Sequence, residues 1–170
     1  MLIKKSLKNL MLIFLVIIYS CERDQPVFGE NGMVVSTSSQ ASQVGIDIMK
    51  AGGNAIDAAA AVGFALAVTS SSNGNIGGGG FMTVKLENGN SFTLDYREMA
   101  PKAASRNMYL DREGNVIKGK SRYTHFAAGV PGSVDGLLKA WRDYGSGNIS
   151  REQLLDLSLI HISEPTRRRT

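Results

Sequence analysis

The chain has 170 residues, 43% of them hydrophobic, which is enough for one ordinary domain with a core and too apolar for a disordered chain. Its formal charge of +4 sits at the ends, on Lys4, Lys5 and Lys8 in front and Arg167, Arg168 and Arg169 behind, leaving a near-neutral body with no electrostatic footprint for nucleic acid. The single cysteine, Cys21, excludes an internal disulfide and a cysteine metal cluster.

The first elements are export signals. "MLIKKSLKN" is basic, and Leu10 to Ile18 is an unbroken apolar run, long enough for export machinery and short for a membrane span. The run ends in "IYSC", which resembles the lipobox of bacterial lipoproteins, although Tyr19 is bulkier than that pattern usually carries. The resemblance implies a signal peptide over 1–20, a lipid on Cys21 and a polar tether over 21–31. The product would be an exported lipoprotein, periplasmic or held at the outer membrane. The alternative is an ordinary signal peptide with an incidental thiol.

In the body, "MVVST" (33–37) has strand composition. Ser38 or Ser39 caps a first helix running to about Ala51, with Val44, Ile48 and Met49 on its apolar side and Gly52-Gly53 as its stop. Asn54 caps a second, with Asp57 in its first turn, where a carboxylate favours the positive end of the helix dipole. "AIDAAAAVGFALAVT" is apolar nearly all round, as a buried helix is. Five glycines follow within Gly74–Gly80, then two alternating strands around Asn88-Gly89, a strong hairpin signal. "LDREGN" (110–115) predicts a second turn. "GVPGSV" leads into a helix with Val134, Leu137, Leu138 and Trp141 on one face. Ser150 and Gln153 form a capping box for the last helix. The order β-α-α-β-β-β-α-α predicts an α+β fold, helices on a mostly antiparallel sheet.

Three motifs suggest chemistry, and each meets a physical objection. A phosphate loop runs from a strand through glycines into a helix whose amides face the anion. Here the order is helix, glycines, strand, so the glycines read as a structural or site-lining loop where backbones approach closely. "GNVIKGKS" (114–121) matches the Walker A pattern, but charged residues precede it and no helix pattern follows. It reads as a solvated turn. Thr124 could become a terminal nucleophile only by a cut leaving too little chain behind it for half a sandwich, so His125 reads as a loop histidine. His161 lies in the divergent tail and carries no weight.

Taken in order, "GMVVST", "ASQVGIDIMKAGGNAIDAAAAVGFALAVT", "GNIGGGGFM", "LDYREMAP" and "GVPGSVDG" resemble the N-terminal part of the large subunit in the γ-glutamyltranspeptidase (glutathione hydrolase) family. The resemblance covers 32–157, and only "SSS" at 70–72 departs from it, touching loop shape. It implies an incomplete αββα N-terminal nucleophile hydrolase sandwich. It also implies that Arg97, in "REMAP", holds the α-carboxylate of a γ-glutamyl donor such as glutathione. A planar, permanently charged guanidinium suits that task. The competing reading is a surface arginine paired to Glu98 or Asp95.

In the family the catalytic threonine and most contacts to the donor's amino group lie in the small subunit of the same precursor. This chain alone is therefore expected to be inactive, with that missing region as its partner. The stretch "SLIHISEPTRRRT" (158–170) matches nothing expected and reads as an aberrant tail. No cofactor motif and no metal site is expected. Two alternatives stand beside the transferase reading: a non-catalytic exported lipoprotein module, and a cephalosporin acylase within the same family.

Overall fold

The computed structural model describes residues 26, 28–74 and 76–160. Cys21, the signal segment, most of the tether, His161 and the rest of the tail lie outside them. The chain divides into two compact units, Met1–Met33 and Val34–Thr170. The described residues of the first hold neither helix nor strand.

The second unit is built around two consecutive helices, α1 (Ser39–Lys50) and α2 (Ala55–Thr69). Ser38 starts α1, its hydroxyl oxygen accepting from the Ala41 amide, and the chain leaves through Gly52 at φ 94°. Asn54 starts α2: its side-chain oxygen accepts from the amides of Ile56 and Asp57, and Asp57 accepts from the Asn54 amide. The alanine-rich α2 is the central element, packed on α1 and on the later helices Ser133–Tyr144 and Arg151–Leu155. Ala60, Ala61 and Ala65 are fully buried, and such small side chains let Ile48, Phe64, Leu137, Ile149 and Leu154 close around the helix.

Strands β1 (Phe81–Lys85) and β2 (Ser91–Asp95) pair antiparallel, with Phe81 opposite Asp95 and Lys85 opposite Ser91. Met82, Val84, Phe92 and Leu94 share the inner face, where the Phe92 ring stacks on Tyr144 at 4.1 Å between centroids. The Asn88-Gly89 hairpin forms, but only Gly89 takes positive φ, at 86°, and the Leu86 amide bonds the Asn90 carbonyl. The loop is therefore a three-residue turn ending in a left-handed glycine.

The expected strand at 33–37 is absent. Its residues alternate as a strand would, with Val34 turned inward against Gly45 and Val35 exposed, yet no described strand lies beside it to complete a ladder. The second hairpin shrinks to one bridge, Leu110 to Val116. The order is thus α-α-β-β followed by short turns and helices, with a two-stranded sheet.

Asp111 organises that second turn, its carboxylate accepting from the amides of Asn115 at 2.8 Å and Glu113 at 3.0 Å. The Asn115 amide first, then the Asn115 side chain and the amides of Glu113 and Gly114, hold its carboxyl below the usual carboxylate range. A carboxylate with a depressed folded pKa contributes stability above its unfolded pKa and loses it as pH falls through the folded value. The expected result is a titration midpoint for Asp111 below that of a free aspartate, about 3.9, with loss of Asn115 amide protection at acid pH. A carboxyl-resolved NMR titration measures it, and Asp111→Ala should remove the Asn115 protection at every pH.

Beyond the turn lie α3 (Lys120–Tyr123), a 3-10 turn (His125–Ala127), α4 (Ser133–Tyr144), α5 (Arg151–Leu155) and a π turn (Asp156–Ile160). The expected face of α4 packs on the core through Leu137, Leu138 and Trp141, with one exception and two additions, Gly136 and Ala140. The exception is Val134, which is 40% exposed. The expected capping box of Ser150 and Gln153 starts α5. Ser158 is buried and donates to the Leu154 carbonyl at 2.5 Å.

Candidate functional site

Three stretches far apart in sequence converge beside β2: the glycine loop, the "YREM" segment, and "GVPG" before α4. Tyr96 exchanges both backbone hydrogen bonds with Gly80, at 3.0 and 3.3 Å. Met99 exchanges both with Val130, at 3.1 and 2.8 Å. Arg97 and Glu98 span the gap between these two tethers. The Asp95 carboxylate adds a third hold, accepting from the Arg97 amide at 3.0 Å. The glycine loop in turn is tied to α4, because the Gly78 carbonyl accepts from the amides of Gly132 and Ser133 at 2.9 and 3.0 Å.

Close backbone contact is what requires the glycines. A Cβ on Gly79 would stand 2.6–2.7 Å from the Glu98 nitrogen, the Tyr96 oxygen and the Arg97 Cα. One on Gly132 would stand 2.0 Å from the Tyr96 oxygen. No real side chain fits either gap. The loop packs backbone against backbone and presents no helix N-terminus to an anion.

Arg97 lines a cleft of about 310 Å³ with Tyr96, Val130, Pro131, Asp135 and Lys139 among its other walls. Its side chain is exposed, and its guanidinium pairs with neither Glu98 nor Asp95. Lys139, the other cation of the cleft, is held by Asp143 at 2.5 Å, a contact that raises the lysine pKa and lowers the aspartate's. Burial pushes the Tyr96 phenol up, so it stays neutral. Within the cleft the Arg97 guanidinium is unpaired, on a backbone tethered at both ends, and it shares the lining with the Asp135 carboxylate. That arrangement can grip a carboxylate with two parallel hydrogen bonds.

A larger cleft of about 650 Å³ lies elsewhere, between the hairpin loop and the start of α2. Its walls are Ile56, Val84 and Leu86 together with the polar Asn54, Lys85, Glu87 and Asn88. The Walker-like stretch is an exposed turn over 114–118, with Gly114 and Gly119 both at positive φ; contrary to the sequence expectation a helix does start within it, the single turn of α3 at Lys120. Thr124 donates to the Lys120 carbonyl, and His125 is exposed with its ring against Phe126. No group of three or more His, Cys, Asp and Glu side chains suited to a metal is present among the described residues. The convergence of "GVPG" on the arginine was missed from sequence, where that stretch served only as a helix start.

The fold and site define part of an N-terminal nucleophile hydrolase. The family model described as gamma-glutamyltranspeptidase matches residues 41–160. A glutathione hydrolase proenzyme of Pseudomonas sp. (strain A14) is 56% identical over 130 residues, covering 76% of this chain and 22% of the relative. The crystal structure of Helicobacter pylori gamma-glutamyltranspeptidase superposes with TM-score 0.76 at 43% identity, over 83% of this chain and 40% of that one. Cephalosporin acylase from Bacillus halodurans follows at TM-score 0.69 and 30% identity, over 84% of this chain and 26% of its own. The chain belongs to the γ-glutamyltranspeptidase family and corresponds to its N-terminal part, spanning about a fifth (22%) of the length of that Pseudomonas relative.

Proposed function

We propose that this chain is the N-terminal portion of a γ-glutamyltransferase and glutathione hydrolase, and that Arg97 holds the α-carboxylate of the γ-glutamyl donor. The observation that carries this reading is the unpaired guanidinium lining the cleft, on backbone tethered at Tyr96 and Met99. The chemistry falls to a threonine on another stretch of the precursor. Its hydroxyl adds to the γ-carbonyl carbon as its own amine takes the proton. The amide C–N bond then breaks, the leaving amine takes up that proton, and a γ-glutamyl ester remains on the threonine. Water converts the ester to free glutamate; an acceptor amine converts it to a new γ-glutamyl amide. Arg97 touches only the non-reacting end of the donor, so its task is binding and aim. Its charge also favours a donor with a free α-carboxylate over a β-lactam side chain lacking one. The deciding experiment is donor kinetics of Arg97 variants in the assembled enzyme.

We also propose that residues 1–20 act as an export signal and that Cys21 carries a lipid that holds the exported protein to a membrane surface. Cells fed labelled palmitate should yield a labelled product, and Cys21→Ser should remove the label and release the protein in soluble form. An unlabelled parent protein would sink the anchor and leave the enzyme reading untouched.

A further inference from the structure

Resting on the reading of Arg97 as the carboxylate-binding group, we infer that Gly79 and Gly132 are positioning residues that set where its guanidinium stands. The glycine loop has no direct role in binding. It works as a wedge of bare backbone behind the arginine.

Arg97 is exposed, and no side-chain contact fixes its head. Its aim must therefore come from its own backbone. That backbone is clamped by Gly79, which lies against the Tyr96 oxygen, the Arg97 Cα and the Glu98 nitrogen at once. Gly132 lies against the same Tyr96 oxygen, and the Gly78 carbonyl joins the two contacts by accepting from Gly132 and Ser133. Gly136 completes the seat, since a Cβ there would stand 2.1 Å from the Tyr96 ring. All the atoms facing Gly79 and Gly132 are main-chain atoms, which cannot swing aside as a side-chain tip can. A methyl group at either position therefore has to displace the segment carrying Arg97. Displacement of about 1 Å in a binding group can cost on the order of 100-fold in rate.

The test compares two donors in the assembled enzyme: L-γ-glutamyl-p-nitroanilide and its α-methyl ester, which lacks the negative head. The ratio of their kcat/KM values reports the carboxylate contact alone and does not depend on how much active enzyme survives. Gly79→Ala and Gly132→Ala should lower this ratio by about 10-fold or more, approaching Arg97→Ala. Gly63→Ala is the control. It is equally crowded, with a Cβ 2.7 Å from the Leu137 side chain, but sits in the α2 core. It should lower the melting temperature and leave the ratio alone. If both glycine variants fail to fold, Ser133→Pro serves instead. It deletes one hydrogen bond to Gly78 at the first position of α4, where helices accept proline, and should lower the ratio several-fold. A ratio within twofold of the parent in the folded variants, with Arg97→Ala still collapsing it, overturns the positioning role and spares the function. An unchanged ratio in Arg97→Ala overturns the function itself.

Discussion

Arg97→Ala in the assembled enzyme is expected to raise the KM for a γ-glutamyl anilide about 100-fold while kcat changes much less. Two charge-assisted hydrogen bonds to a carboxylate contribute about 1.5–3 kcal/mol each. The lower end applies in a cleft open to water, giving about 3 kcal/mol, or roughly two decades in affinity. The effect falls on KM because the α-carboxylate is remote from the bond that breaks. It is held about equally in the ground state and the transition state, and loss of such uniform binding raises KM alone. A large fall in kcat with unchanged KM would contradict this placement of the residue.

Arg97→Lys separates charge from geometry. An ammonium restores a positive point charge but not the planar fork, and the shorter side chain stops short of the same place. An intermediate KM, about 10-fold above the parent, is expected. A lysine variant equal to the parent would mean that the cation acts only through its field. Initial rates against donor concentration decide between the two.

Legibility from sequence followed how local each interaction is. The start of α2 was readable because a capping box needs only Asn54 and its neighbour Asp57, and the box of Ser150 and Gln153 was readable for the same reason. The hairpin was readable at Asn88-Gly89, but its loop length was not, since Asn-Gly can supply two left-handed residues to a two-residue loop or the glycine alone to a three-residue one. The stretch 33–37 kept its alternation and gained no partner, because a strand is completed by residues elsewhere in the chain. On α4, periodicity favoured Val134, whereas the packing uses Gly136 under the Tyr96 ring. Hydrophobicity marks what prefers burial and says nothing about which neighbour needs room. The site divides the same way. Arg97 was singled out by its motif, and the glycines were recognised as allowing close approach. Nothing in either motif names the other as the surface approached.

Asp57→Ala is the stability change expected to be largest, at about 3 kcal/mol. Asp57 is fully buried, and one carboxylate oxygen accepts from the amides of Asn54 and Ser146, both at 2.9 Å. The first bond belongs to its own helix start. The second reaches across 89 positions and fixes the loop between α4 and α5 against α2, a link doubled by Asn54 donating to the Tyr144 carbonyl. Truncation would leave two amide donors without their acceptor, at about 1–3 kcal/mol each, and remove a negative charge from the positive end of the α2 dipole. Asp57→Asn separates these causes. Its amide oxygen can keep both bonds, and its NH2 would occupy the place of the other oxygen, which has no hydrogen-bond partner and faces the Gly145 backbone. The asparagine loses the charge but not the acceptor, and about 1 kcal/mol is expected. Hydrogen exchange at the Ser146 amide reads the difference at the loop itself. Protection should fall about 100-fold in the alanine variant and less than 10-fold in the asparagine one. Equal losses would mean that charge, and not the shared acceptor oxygen, holds the helix start to the loop.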